Sequence, residues 1–288
     1  MSTDPDPDPS GQQNDIRPSP IAGLWYNSVP QSLAQEIDSY LKNGSLITDS
    51  SVLGVIAPHA GYRYSGRTAG HAFASVSGES RDLVAILSPM HAYHDAPLLT
   101  STHQAYATPL GKVPIDEDAL DVLRTRLASV GIPLTQIAHD REHALEIELP
   151  FLQRALQGAF KLLPLMVRSR DPHLLEDLGA SLVEAVEGRS VLLVGSSDLS
   201  HFYPQSIADR YDREMLRQIA NFSPAGVLAA EENGTGFACG AGSVAAVLWA
   251  SRQLGADTVR VLHHSTSADE TGDASSVVGY GAAAILKS

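Results

Sequence analysis

Three histidines and an aspartate follow short apolar segments of the chain, each near the point where a buried strand would end. In an open α/β sheet, side chains that come just after parallel strands meet at one edge, so residues far apart in sequence can converge. Imidazole binds zinc, copper, iron and nickel, and histidine combined with cysteine or carboxylate is typical of catalytic metal sites. A single histidine after a strand is typical of an ordinary loop, but three histidines in that same position favour a shared site. The four residues are His59, His91, Asp198 and His201.

The single cysteine, Cys239, lies in the glycine-rich segment 234–242, directly before a predicted helix. The start of a helix lowers the pKa of a thiol and favours the thiolate that metals bind. The same glycines would also suit a tight turn or a phosphate site, and a lone free cysteine is often a small buried apolar residue. One cysteine excludes an intrachain disulfide and any Cys-x-x-Cys metal site.

A further pair of candidate catalytic residues is His143 and Glu146, at the start of the predicted helix 144–157. Positions i and i+3 share one face of a helix, so the two side chains are expected to point together into a site. The spacing also occurs in helical bundles that bind two metal ions. A helix with an acidic, solvated face explains the same pattern equally well.

The segments that must carry these residues alternate between short apolar runs and amphipathic stretches. Continuous apolar runs are typical of strands covered on both faces in a mostly parallel sheet. Their alternation with helices predicts one three-layer α/β/α domain with a mostly parallel or mixed central sheet. The predicted strands are 52–57, 83–87, 162–167, 191–194, 258–262 and 276–286, and the predicted helices are 32–41, 116–130, 144–157, 172–187, 207–219, 224–231 and 243–254.

Composition divides the chain into an acidic tail and a globular body. Residues 1–19 repeat Asp-Pro and contain one large apolar side chain, Ile16, which predicts a disordered acidic tail. Residues 20–288 show no repeat and no linker, which predicts one domain. The net charge of −13 argues against nucleic acid or an anionic membrane as a partner. With no secretory-signal pattern and no apolar run of about 18 residues, a cytoplasmic protein is expected.

Six ordered segments of the chain carry a family resemblance. They are IAGLWY (21–26), APHAGYRYSG (57–66), YATPLGKVP (106–114), EHALEIELPF (142–151), SSDLSH (196–201) and SSVVGY (275–280). Through these segments residues 20–288 resemble the Memo family, the mediators of cell motility, whose prokaryotic members are named AmmeMemoRadiSam system protein B. The resemblance implies a single α/β domain related to the LigB-like class III extradiol dioxygenases, which hold non-haem iron. By family association it also implies AMMECR-type and radical-SAM proteins as partners.

The resemblance also implies roles for individual residues. The family's metal-site residues match His59, His91 and Cys239, and its Asp-x-x-His pair matches Asp198 and His201. A set of two histidines and one cysteine differs from the two-histidine, one-carboxylate triad of non-haem iron oxygenases. Cleavage of catechols therefore does not follow from the resemblance.

The residues show that a metal ion could bind, and the resemblance implies a mononuclear site of His59, His91 and Cys239 for oxidative chemistry on a small organic substrate, with iron expected and copper or zinc as alternatives. His201 is the expected general acid or base, and Asp198 is expected to tune it by a hydrogen bond or by charge. A zinc-dependent hydrolase is a second possibility. A third is a non-enzymatic module that binds a ligand or a phosphopeptide, since animal relatives bind phosphotyrosine peptides. For such an anion the first histidine motif offers Arg63 and Arg67.

Overall fold

The structure is a computed structural model that describes residues 15–288, in which strands and helices alternate along most of the chain. The strands are β1 (Ile16–Arg17), β2 (Ser51–Ala57), β3 (Leu83–Pro89), β4 (Leu98–Ser101), β5 (Ala105–Thr108), β6 (Gly111–Pro114), β7 (Leu134–Ile137), β8 (Lys161–Val167), β9 (Val191–Ser196), β10 (His201–Tyr203), β11 (Thr258–Thr266) and β12 (Val277–Lys287). The helices are α1 (Pro30–Leu41), α2 (Tyr62–Ala74), α3 (Glu117–Ser129), α4 (Leu149–Ala155), α5 (Pro172–Ala185), α6 (Gln205–Ala220), α7 (Pro224–Glu232), α8 (Ala241–Gln253) and α9 (Ala268–Thr271).

The large central sheet is mixed, with a parallel centre. Its order is β10-β12-β2-β9-β3-β8-β4-β7, and β11 pairs with β12. The four central strands β2, β9, β3 and β8 are parallel to one another. They are flanked by antiparallel pairing of β12 on β2 and of β4 on β8. The parallel strands therefore deliver the residues that follow them to a single edge.

Helices cover both faces of this sheet, which confirms the three-layer α/β/α architecture. On one face α1, α2 and α4 pack together, and on the other α8 packs on the central strands and against α5 and α7. Apolar residues of β3 and β9 are almost completely buried because both faces are covered. Within residues 15–288, no helix combines the length and apolar composition needed to cross a membrane.

Two sequence-based predictions about the elements need correction. The helix predicted at 144–157 is a 3-10 turn at Glu146–Glu148 followed by the shorter helix α4, with Pro150 in its first turn. Of the tail predicted at 1–19, residues 1–14 lie outside the described residues. Its last part is structured, because β1 pairs in parallel with β5 and the side chain of Arg17 is buried.

Arg17 joins this N-terminal strand to the loop that precedes the 3-10 turn. Its guanidinium donates to Asp140 Oδ1 at 2.7 Å, to Glu146 Oε2 at 2.6 Å and to the carbonyl oxygen of Glu142 at 2.7 Å. The ring of Tyr106 lies 4.8 Å below the guanidinium carbon. The charges of two buried carboxylates, Asp140 and Glu146, are therefore balanced by one buried cation, Arg17.

Replacing Arg17 by methionine is expected to lower the free energy of unfolding by about 3–5 kcal/mol, because Asp140 and Glu146 would stay buried without a counter-charge. The measurement is urea unfolding followed by circular dichroism. The matched control is Arg124→Met, since Arg124 makes only an exposed i,i+3 pair with Asp121, for which we expect a change of about 0.5 kcal/mol or less. Equal stability of Arg17→Met and Arg124→Met would contradict this account.

Candidate metal centre

The first residue of the site, His59, is held by a serine at the end of β9. His59 is 1% exposed, and its Nδ1 lies 2.9 Å from Ser196 Oγ. The Ser196 hydroxyl has one hydrogen, which it donates to the Ala144 carbonyl at 2.9 Å or to Glu148 Oε1 at 2.5 Å. With the Ser196 hydrogen directed to either of these oxygens, the hydrogen bond between His59 and Ser196 Oγ is donated by His59 Nδ1. This leaves Nε2 as the nitrogen with a free lone pair.

Glu142 fixes the second histidine, His91, in the same way. His91 Nδ1 lies 2.9 Å from Glu142 Oε1, and the His91 backbone N–H donates to Oε2 at 2.6 Å. The backbone N–H groups of His143 and Ala144 also donate to Oε1, at 2.9 Å each. Burial alone would raise the pKa of Glu142, but these hydrogen bonds lower it to about 2, so it is ionised. The carboxylate orients His91 and leaves its Nε2 free.

Cys239 reaches the site from the segment that leads into α8. Its Sγ lies 3.1 Å from His59 Nε2 and accepts the backbone N–H of Asp198 at 3.3 Å. Gly240, the next residue, lies so close to the Ser196 carbonyl that no side chain would fit there. The expected lowering of the thiol pKa is wrong for the metal-free chain, because burial and the nearby Asp198 carboxylate raise the pKa of Cys239.

His59, His91 and Cys239 therefore form one cluster, in which one donor atom from each residue lies within 4.8 Å of the others. The rings of His59 and His91 meet edge to face, with centroids 5.3 Å apart. His91, Glu142 and His143 meet the same distance criterion. In that second set, however, the Glu142 carboxylate is already occupied by its N–H donors. The first set is the one with free donor atoms.

His143 lies at the edge of the cluster, although it does not share a helix face with Glu146. Its ring stacks on His91 with centroids 4.6 Å apart and lies 4.0 Å from the ring of Trp25. Burial lowers the pKa of His143 to about 4, so the imidazole is uncharged at neutral pH. His143 therefore lies between the ring of His91 and the ring of Trp25.

Glu146 does not contribute to the cluster, contrary to the sequence-based pairing with His143. Its carboxylate accepts from Arg17, from Ser19 Oγ at 2.5 Å and from the Tyr26 hydroxyl at 2.7 Å. The 3-10 turn, rather than an α-helix, directs Glu146 towards the N-terminal segment. Its role in the described structure is therefore to anchor that segment.

Asp198 and His201 both lie near Cys239, but they do not form a hydrogen-bonded pair within residues 15–288. Asp198 Oδ1 accepts the backbone N–H groups of His59 at 2.8 Å and Ala60 at 3.3 Å. Burial raises the pKa of Asp198 to about 7, and the two N–H groups oppose that shift. Among residues 15–288 no hydrogen bond joins Asp198 to His201. Asp198 therefore positions the loop that carries His59.

His201 and Cys239 line one cavity of about 210 Å³, together with Tyr203, Glu231 and Phe237. Burial lowers the pKa of His201, so its ring is uncharged at neutral pH. A larger cavity of about 490 Å³ lies beside the residue that follows His59 and is lined largely by aromatic and apolar side chains. Its lining includes Trp25, Gly61, Tyr64, Phe202, Val278 and Tyr280.

Sequence reasoning missed three residues that support the cluster: Glu142, Glu148 and Ser196. Glu142 and Ser196 are the hydrogen-bond partners of Nδ1 of His91 and of His59, and Glu148 accepts from Ser196; these contacts become visible only when the loops meet in space. A signal was present, because all three lie inside the segments EHALEIELPF and SSDLSH that carry the family resemblance. Spacing within each segment could not show which carboxylate faces which histidine.

Comparison with known proteins connects this geometry to a family. The sequence pattern of Memo-like proteins matches residues 17–284, a range that contains the whole cluster. The chain belongs to the Memo-like protein family. Its Memo-like sequence is 32% identical over 272 residues to a MEMO1 family protein of Nitrosopumilus maritimus, covering 93% of this chain and 98% of that protein.

Two further relatives show the same extent of similarity. A MEMO1 family protein of Methanococcoides burtonii is 34% identical over 274 residues, covering 94% of this chain and all of that protein, 100%. One of Methanosarcina barkeri is 32% identical over 269 residues, covering 93% of this chain and 98% of the relative. The similarity of this Memo-like chain thus extends across the domain and beyond the segments around the cluster.

The hydrogen bonds around the cluster predict the tautomers of the two histidines. In the metal-free protein at about pH 9, well above the usual histidine pKa of about 6.5, His59 and His91 are expected to carry their proton on Nδ1. Nitrogen NMR of ¹⁵N-histidine-labelled protein, assigned with His59→Gln and His91→Gln, measures this directly. A proton on Nε2 of His59 would contradict the hydrogen bond from Nδ1 to Ser196.

Proposed function

We propose that this Memo-like protein binds one transition-metal ion with His59, His91 and Cys239 and uses it in oxidative chemistry on a small organic substrate. The observation that supports the proposal is the convergence of three donor atoms, within 4.8 Å of one another, at the carboxyl edge of the parallel strands. Ligand pockets of α/β sheets lie at this edge.

The residues fit a metal ion in both distance and chemistry. Zinc–nitrogen bonds of about 2.0 Å and zinc–sulfur bonds of about 2.3 Å place ligand atoms roughly 3–4 Å from one another. The separation of 3.1 Å between Cys239 Sγ and His59 Nε2 is in this range. The remaining nitrogens of His59 and His91 have hydrogen-bond partners, as metal-binding histidines usually do. Binding a cation would also offset the burial that keeps the Cys239 thiol protonated.

Iron is the proposed metal because the family resembles LigB-like dioxygenases, and copper and zinc suit the same ligands. A redox-active ion would supply one-electron chemistry at the site. His201 is placed to move a proton, because its uncharged ring lines a cavity together with Cys239. A small organic molecule in that cavity would contact both Cys239 and His201, and His201 would accept a proton from it.

Metal analysis tests the proposal. After anaerobic purification, the wild-type protein is expected to hold close to one iron per chain, and His59→Ala, His91→Ala and Cys239→Ala are expected to lose it. The control is His173→Ala, since His173 is exposed on α5 and outside the cluster. Circular dichroism verifies that each variant folds.

Two outcomes would change the proposal. Zinc in place of iron, lost in the same three variants, would favour the zinc-dependent hydrolase. A wild-type protein that takes up none of iron, copper or zinc would contradict the metal site and favour a ligand-binding module without catalytic activity.

Glu142→Gln is expected to weaken metal binding by about tenfold to a hundredfold without removing any ligand. An amide has one acceptor oxygen, so it cannot accept from His91 Nδ1 and from all three backbone N–H groups. Competition with a chromogenic chelator measures the affinity. The control Glu187→Gln changes an exposed carboxylate far from the cluster and is expected to leave the affinity unchanged. Equal affinities of Glu142→Gln and wild type would show that Glu142 does not position His91.

A further inference from the structure

Arginine side chains approach the candidate metal centre from the carboxyl end of β8. The register of β8 with β3 places Val167 opposite Pro89, so Arg168 emerges beside the residues that lead to His91. The backbone N–H groups of Arg168 and Ser169 donate to the Pro97 carbonyl at 2.9 and 3.2 Å. These hydrogen bonds fix the start of the segment 168–170 against the loop before β4.

This segment and the start of α8 enclose a cavity of about 220 Å³, which we call the arginine pocket. Two of the three proposed metal ligands, His91 and Cys239, line it, so a molecule in the pocket would lie beside the metal site. The other lining residues used here are Arg168, Ser169, Arg170 and Gly242.

Arg168 carries a charge that is not neutralised by a carboxylate within residues 15–288. Its Nη1 donates to the carbonyl oxygens of Met90, at 3.2 Å, and Ala92. Those contacts orient the guanidinium while leaving other N–H groups to bind a ligand. A guanidinium matches the two oxygens of a carboxylate or phosphate in a forked hydrogen bond. Arg170, in contrast, already pairs with Glu231 at 2.6 Å.

The first turn of α8 adds hydrogen-bond donors to the same pocket. Gly242 lies against the Ser169 carbonyl, and no side chain would fit between them. Gly242, in the first turn of α8, lines the pocket, and backbone N–H groups in the first turn of a helix have no acceptor within the helix. Free N–H groups and the positive end of a 13-residue helix favour an anion. The start of α8 therefore adds to the positive charge that Arg168 brings to the pocket.

We propose that the arginine pocket binds the anionic group, a carboxylate or a phosphate, of the substrate that reacts at the metal centre. This inference rests on the proposed function, because it assigns a substrate class to the same site. The chain has a net charge of −13, so most of its surface repels anions and a local cationic pocket would select where they bind. Arg63 and Arg67 lie on α2 and do not line this pocket.

Isothermal titration calorimetry of the metal-free protein at low salt tests the pocket, with inorganic phosphate and malonate as separate probes. Saturable binding of at least one probe is expected. Arg168→Gln is expected to weaken it by about tenfold to a hundredfold, the usual effect of losing a hydrogen bond to a charged group. Arg168→Lys is expected to recover part of the affinity, because it restores the charge without the fork. Arg63→Gln is the matched control and is expected to bind like wild type.

The two probes distinguish the two kinds of anion: tighter phosphate binding indicates a phosphorylated substrate, and tighter malonate binding indicates a carboxylate. Failure of wild type to bind either probe would overturn the inference, as would equal affinities of wild type and folded Arg168→Gln.

Metal content separates this inference from the proposed function. Arg168→Gln is expected to retain its metal, because Arg168 is not a ligand. If Arg168→Gln lost the metal as well as the anion, Arg168 would act only by positioning the His91 loop, and the inference would be wrong. Anion binding by a wild-type protein that holds no metal would support the pocket while contradicting the metal site.

Discussion

The parallel pairing of β2, β9, β3 and β8 is the constraint on which the rest of the site depends. Because these strands run in the same direction, the segments after all four lie at one edge of the sheet. His59, Ser196, His91 and Arg168 come from four different strand ends. A reversal of any one strand would send its residue to the opposite edge. The backbone hydrogen bonds of the sheet therefore determine which side chains can react together.

Around this edge, buried polar groups hold the site in a single arrangement. Glu142 accepts from His91 and from three backbone N–H groups, and Ser196 accepts from His59. The Glu142 carbonyl in turn accepts from Arg17, so the N-terminal strand supports the same loop. Such groups are costly to bury unless each has a partner. Because these groups are hydrogen-bonded to one another, the same hydrogen bonds stabilise the domain and fix the geometry of the candidate metal ligands.

Cys239 lies between two cavities of different character. One contains Arg168 and the start of α8, which suit an anion, and the other contains His201 among aromatic side chains. This division offers a way to orient a small substrate, with its charged group on one side of the metal centre and a proton acceptor on the other. Orientation of this kind contributes to catalysis by fixing reacting groups near one another.

The sequence by itself determined the three-layer architecture, most of the central strands and the strand-end positions of His59 and His91, because apolar patterning is a local signal. That Cys239 joins the two histidines was implied by the family resemblance, since Cys239 precedes a helix and does not follow a strand. The sequence did not determine the partner of each polar side chain. Glu146 was expected at the site and lies against Arg17, whereas Glu142 faces His91, since a 3-10 turn replaces the predicted helix. The apolar run 162–167 predicts a strand, but only the pairing of β8 with β3 places Arg168 beside the residues that lead to His91. Tertiary contacts decide where buried polar groups point and which groups they pair with. The spacing of residues along the chain does not encode those contacts.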